Sequence, residues 1–196
     1  MTLFFIRHGA TEWSVTGQHT GRTDLPLSSE GLAQLRSLSH GLRELLGPDF
    51  GRLDVFSSPM SRALASATTV MGEGHEIRID PNLAEFDYGD YEGLTTDEIR
   101  AQRPGWDIWR DGCPNGESVE DVGRRADAFL SSIDDGPELV AIFAHAHLIR
   151  IMAARATGLD AQWGEIFTLD TATVSVIDEV RGKRAVRLWN VSPKHL

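Results

Sequence analysis

Leu3-Phe4-Phe5-Ile6 runs straight into Arg7-His8-Gly9. Four apolar residues in a row, with no polar alternation, read as a strand buried on both faces, the kind found in parallel sheets covered by helices. Leu139-Val140-Ala141-Ile142-Phe143 repeats the pattern more clearly and ends in Ala144-His145-Ala146-His147. Leu53-Asp54-Val55-Phe56 is a weaker copy, ending in Ser57-Ser58-Pro59-Met60-Ser61-Arg62.

Helical patterns separate these strands. Ser28 or Ser29 is a fitting N-cap, followed by Leu32, Leu35, Leu38, Leu42 and Leu45 at helical spacing up to Gly47-Pro48. Pro59 opens a second helix of good formers over 63–71, and residues 76–79 read as a short strand. Further helices are expected from Ser118 or Val119 to Ile133, and from His145 to Arg155 before Gly158. Residues 174–180 and 185–189, joined through Arg181-Gly182-Lys183, read as a hairpin. Alternation of this kind predicts an α/β fold: a three-layer sandwich with a mostly parallel central sheet, helices on both faces and an antiparallel edge. One domain is expected over 1–196. Within it, residues 82–117 hold Tyr88, Tyr91, Trp106 and Trp109 amid many Gly and Asp, and show little periodicity beyond a helical piece at 96–102. Long irregular segments are usually functional, so 82–117 is expected to be a small inserted cap.

Composition narrows the function. The chain has 196 residues, 41% hydrophobic and 24% charged, with a formal charge of −10. An acidic surface argues against nucleic acid and anionic membranes as partners, since both select basic proteins. One cysteine, Cys113, excludes an internal disulfide and a cysteine-built metal centre. No apolar run has the ~20 residues that span a bilayer, and the opening apolar stretch is too short for a signal-peptide core. A cytoplasmic enzyme of small molecules is the expectation, with homo-oligomerisation left open.

The reactive residues fall at strand ends, where parallel sheets bind ligands. Arg7, His8, Arg62 and His145 would gather positive charge at one sheet edge of an acidic protein, which suggests an anion site, most simply for phosphate. Each residue also has a plain reading. Arg7 and His8 could be a solvated strand end, and Arg62 a surface helix charge. His145 and His147 could form a metal pair, though no third ligand completes it. His147 reads better as a supporting residue, and His40, His75 and His195 as surface residues. Other phosphate chemistries lack their motifs. There is no Gly-x-x-x-x-Gly-Lys loop, no glycine-rich turn with arginine after Cys113, no second aspartate near Asp170 and no Gly-x-Ser-x-Gly elbow. Histidine is the remaining nucleophile with phosphate-binding neighbours.

The run Ile6-Arg7-His8-Gly9-Ala10-Thr11-Glu12-Trp13 resembles the signature of the histidine phosphatase superfamily, also called phosphoglycerate-mutase-like. Four more blocks follow in the family order: residues 21–28, 57–63, 83–93 and 143–150. Residues 18–26, 106–113 and Asn115-Gly116-Glu117-Ser118 are further similar to the family's fungal sugar bisphosphatases, although this chain is shorter. The resemblance implies His8 as nucleophile, Arg7, Arg62 and His145 as phosphoryl ligands, and Glu85 as general acid and base. It also implies substrate contacts from Ser14, His19, Thr20, the Gly21 backbone, Tyr88 and the amide of Ala146. Arg110 is a candidate for a second phosphate, or else a partner of Asp107 or Asp111.

These roles make physical sense without a cofactor or metal. Phosphoryl transfer needs in-line positioning and neutralised oxygens, which Arg7, Arg62 and a protonated His145 would supply. Neighbouring cations would keep His8 neutral, and a backbone carbonyl on its other nitrogen would fix its tautomer. The expected activity is metal-independent hydrolysis of small phosphorylated metabolites, with sugar phosphates or bisphosphates as the class and sedoheptulose 1,7-bisphosphate as the candidate. The alternatives are a phosphoglycerate mutase, for which the closing segment looks short, a catalytically inactive phosphate-binding regulatory module, and a metal hydrolase built on His145 and His147.

Overall fold

The computed structural model describes residues 1–134 and 136–196. Strands β1 (Thr2–Arg7), β2 (Asp54–Ser57), β3 (Ile77–Ile79) and β4 (Leu139–Ala144) pair in parallel, while β5 (Val174–Val180) and β6 (Lys183–Val191) return antiparallel beside β1. The sheet order is β3-β2-β4-β1-β5-β6. The expected α/β architecture, mostly parallel with an antiparallel edge, is therefore the one adopted. Arg181 and Gly182 make the tight turn between β5 and β6, both at positive φ (55° and 74°). That geometry matches the twist of a two-residue hairpin.

Residues of β1 alternate between two cores. Leu3 and Phe5 face the core built by α6 (Val119–Ile133) and α7 (Ala146–Ala156). Phe4 and Ile6 face the core built by α2 (Ser29–Leu46) and α3 (Ser61–Met71). Each such side chain contributes roughly 1.5–3 kcal/mol when fully buried, which is why an unbroken apolar run lies in the middle of the sheet. On α2, Leu35, Leu38 and Leu42 are buried, but Leu45 is exposed because the helix outruns the core it covers. Ser28 caps it, its side chain accepting from the Gly31 amide at 3.0 Å.

Two elements escaped the sequence reading. Residues 12–16 form a short helix, α1 (Glu12–Thr16), which no apolar periodicity in the sequence marks. Its cap is reciprocal: the Thr11 amide donates to Ser14 Oγ at 2.8 Å, and the Ser14 amide to Thr11 Oγ1 at 3.3 Å. The 82–117 segment is also more regular than its sequence suggests. Besides the helical piece expected at 96–102, which is α4 (Thr96–Gln102), it carries α5 (Ile108–Asp111) and a 3-10 turn at Gly89–Tyr91, with another at its entry over Pro81–Leu83. Arg125 of α6 ties its start down, donating to the carbonyls of Asn82, Ala84 and Glu85 while pairing with Glu117. Trp106 is buried and donates to the Gly112 carbonyl at 2.9 Å. Among the described residues, no helix is long and apolar enough to cross a membrane.

Helix α2 also fixes the loop after β1. The Ser28 amide donates to the Ala10 carbonyl at 2.8 Å, and Gly31 lies so close to Ala10 that a Cβ there would sit 2.3 Å from its carbonyl oxygen. Gly31→Ala should therefore destabilise the protein by about 1–3 kcal/mol and lower Tm by several degrees. That effect outweighs the ~1 kcal/mol by which alanine favours a helix interior. Thermal unfolding checks it; an unchanged or higher Tm would contradict the close approach.

Candidate active site

Arg7 pairs in register with Ala144, the last residues of adjacent parallel strands. One residue later the His8 amide donates to the Ala144 carbonyl at 3.0 Å. The two chain segments leaving β1 and β4 therefore bring His8 and His145 together, with ring centroids 5.2 Å apart. A cavity of about 170 Å³ opens at this edge, lined by Arg7, His8, Thr11, Trp13, Ser14, Gly17, Gln18, His19, Thr20, Glu85, Tyr88, Ala146 and His147.

The His8 tautomer follows from its partner. Nδ1 lies 2.7 Å from the Gly9 carbonyl, which can only accept. Nδ1 therefore carries the proton, and Nε2 keeps its lone pair. Burial, reinforced by the Arg7 and Arg62 guanidinium groups, holds His8 well below the ordinary 6.5. Arg7 is half-buried, and its Nη1 donates to the Leu169 carbonyl at 2.6 Å. A half-buried guanidinium on the cavity wall favours an anionic acceptor beside it.

Arg62 and His145 stand behind His8 rather than on the cavity surface, both being buried. Arg62 donates Nη1–H to the Thr23 carbonyl, and Nη2–H groups to those of Thr20 and Gly21, at 2.9–3.1 Å. Its Nε–H points at His145 Nδ1 at 3.3 Å. Because arginine only donates, His145 Nδ1 must be the acceptor, leaving Nε2–H to donate to Ser58 Oγ at 2.7 Å. The expectation of a protonated His145 is thus corrected. Burial first, then Arg62, His8 and Arg7, hold its pKa well below 6.5, and the ring is neutral.

Glu85 lines the cavity from the start of the 82–117 segment. Oε1 accepts from the amides of Phe86 (2.9 Å) and Leu148 (3.0 Å), and Oε2 from that of His147 (3.2 Å). It caps the N-terminus of α7, and Oε2, with a single amide donor, is the oxygen left free to carry a proton. Tyr88, also on the wall, has its hydroxyl 2.8 Å from His147 Nδ1.

The other expected contacts divide. His19, Thr20, Ser14 and Ala146 line the cavity, though the Ser14 hydroxyl is engaged with the Thr11 carbonyl at 2.9 Å. Gly21 does not: its amide donates to Glu92 and its carbonyl accepts from Arg62, so both backbone groups are spent. Nor does Arg110, which is exposed and pairs with Asp111 and the Gly105 carbonyl. The adjacent carboxylate captured it, as the plain reading held. Trp106 and Trp109 lie behind the wall instead of on it; Trp109 sits 5.3 Å from the His147 ring. The metal-pair reading meets a similar obstacle, since His145 faces Arg62 and Ser58 while His147 faces Tyr88. Thr11, Trp13, Gly17 and Gln18 were missed, all in or beside α1. A Thr-x-x-Ser cap closed by Gly17, whose φ is 82°, was the signal available.

A buried nucleophilic imidazole among guanidinium groups, at the carboxyl ends of parallel strands, marks a phosphoryl-handling site. The chain belongs to the histidine phosphatase superfamily (branch 1), whose family model matches residues 3–192. It is 36% identical over 202 residues to an acid phosphatase of Mycobacterium tuberculosis, covering 97% of this chain and 92% of that protein. It is also 36% identical over 185 residues to the sedoheptulose 1,7-bisphosphatase of Saccharomyces cerevisiae, covering 80% of this chain and 68% of that one. The solved structure of a Mycobacterium tuberculosis open-reading-frame product superposes with a TM-score of 0.87 at 33% identity, covering 98% of each chain.

The buried imidazoles make stability pH-dependent. His8, His145 and His147 are held well below 6.5, and His19 is lowered to about 4, burial being the main cause in each. Unfolded, all four would titrate near 6.5, so the unfolded chain binds more protons below that pH. Their stabilisation is complete above pH ~6.5 and drains as pH falls toward the folded values, by about 1.4 kcal/mol per pH unit per ring. Tm measured from pH 7.5 to 5 should fall steeply below ~6.5; a flat profile would contradict neutral burial.

Proposed function

We propose that this protein is a metal-independent, cytoplasmic phosphatase of small phosphorylated metabolites, working through a phosphohistidine at His8. One observation carries the reading: His8 is fixed with Nδ1–H on the Gly9 carbonyl and Nε2 unprotonated, on a cavity that Arg7 also lines. Nε2 attacks phosphorus, the phosphorus–oxygen bond of the ester breaks, and Glu85 gives its proton to the leaving alkoxide. Glu85 then takes a proton from water as that water attacks the phosphohistidine, releasing phosphate and restoring His8. Arg7 holds the phosphoryl oxygens. Arg62 has four of its five N–H groups committed to carbonyls and His145, so it acts mainly by its charge and by holding residues 20–23 in place. The similarity to an acid phosphatase and to a sugar bisphosphatase supports hydrolysis and makes sugar phosphates or sugar bisphosphates the substrate class, with sedoheptulose 1,7-bisphosphate the candidate.

Rapid quench with a phosphate ester should trap one phosphoryl group on the peptide containing His8, and His8→Ala should lose both trapping and turnover while keeping its fold. Glu85→Gln should cut kcat by roughly 10²–10⁴-fold. Phosphate release should survive EDTA and exceed interconversion of 2- and 3-phosphoglycerate. Absence of release from the intact protein would instead favour a binding module, and loss of activity with chelator a metal hydrolase.

A further inference from the structure

Away from Arg7 and His8, the cavity wall is made of rings. Trp13, His19, Tyr88 and His147 all line it. His19 stacks on Tyr88 with centroids 4.6 Å apart and planes 27° from parallel, and Tyr88 meets His147 edge-on at 5.8 Å. These rings are uncharged: burial lowers both imidazoles and pushes the Tyr88 hydroxyl well above its ordinary 10, so it keeps its proton. Whichever of the two groups donates across that bond, His147 Nε2 is left as a neutral hydrogen-bonding atom.

Charge is distributed to match. Among the described residues Arg7 is the one cation lining the cavity, and it stands at the reacting end with His8. Behind His19 lies a carboxylate, that of Glu92, held 3.0 Å from the amides of Gly21 and Thr23. Arg150 lies beyond His147, but its Nε and Nη2 are turned to the carbonyls of Gly164 and Glu165, and its guanidinium covers the Trp109 ring at 4.4 Å. A second phosphate placed against this wall would lose water, gain no cation and approach an anion. The C–H face of a sugar ring or an aromatic ring would instead find matching surface, with a hydroxyl within reach of a neutral hydrogen-bond partner. The volume of about 170 Å³ also suits one phosphoryl group and one small ring better than a long bisphosphate.

We propose that Trp13, His19, Tyr88 and His147 form a subsite for an uncharged ring, so that the preferred substrates are monophosphate esters of cyclic sugars or other neutral ring-shaped alcohols, and a second phosphate brings no advantage. The proposal rests on the phosphatase reading and narrows its substrate class to monophosphates, which sets sedoheptulose 1,7-bisphosphate aside as the preferred substrate.

The test compares kcat/KM for a hexose 6-phosphate, the same hexose 1,6-bisphosphate, an aryl phosphate and glycerol phosphate. The hexose monophosphate should equal or exceed the bisphosphate, and both ring esters should exceed glycerol phosphate by about tenfold or more. Trp13→Ala and His19→Ala, checked for an intact fold by circular dichroism, should each shrink that ring-to-glycerol ratio, mainly through a higher KM for the ring esters. A tenfold or greater preference for the bisphosphate, or a ratio that neither variant moves, would overturn the subsite while leaving the phosphatase standing. Absence of phosphate release from all four esters would overturn both.

Discussion

Arg7 and Ala144 are register partners at the carboxyl ends of two adjacent parallel strands, and the site depends on that pairing. It sets His8 one residue beyond one strand end and His145 one residue beyond the other. The helices on both faces exist to bury the apolar runs that make the pairing stable, Leu3 and Phe5 on one side and Phe4 and Ile6 on the other. An acidic chain thereby assembles a cationic pocket from residues far apart in sequence. The field there comes from Arg7 and Arg62, because the imidazoles beside them are neutral.

Arg62 is the member of the site that links its parts. Its donors hold the carbonyls of Thr20, Gly21 and Thr23, while Glu92 holds the amides of Gly21 and Thr23. The segment carrying His19 and Thr20 is gripped on both sides of its backbone. The same arginine fixes the His145 tautomer, which in turn engages Ser58 at the end of β2. Two strand ends and one loop are thus tied together through Arg62, whose bonds to the loop carbonyls and to His145 have a charged donor. Arg125 does a comparable task for the 82–117 segment, holding residues 82–85 so that the Glu85 carboxyl group meets the amides of α7.

Much of this was legible in the chain. Unbroken apolar runs marked β1 and β4, leucine spacing marked α2, and the position of Arg7-His8, Arg62 and His145 after strands marked where chemistry would gather. Glu85 was reached through resemblance, since nothing local distinguishes a carboxylate that caps a distant helix. What stayed hidden depended on long-range packing or on short-range competition. The charge state of His145 is set by burial and by Arg62, 83 positions away. Arg110 was lost to its neighbour Asp111, and the Gly21 backbone to Glu92 and Arg62. Trp13 entered the cavity on a helix of five residues, too short for periodicity to reveal. Trp106 is off the cavity lining, buried in the same core as Leu3 and Phe5.

A neutral His8 with its lone pair on Nε2 is the state from which the proposed chemistry starts. An NMR titration of the His8 ring carbons and nitrogens in the intact protein examines it directly. The ring should show the Nδ1–H tautomer at neutral pH and a protonation midpoint well below 6.5, burial and the two guanidinium groups opposing protonation. A midpoint near the ordinary 6.5, or a proton resident on Nε2, would contradict the geometry on which the function is built.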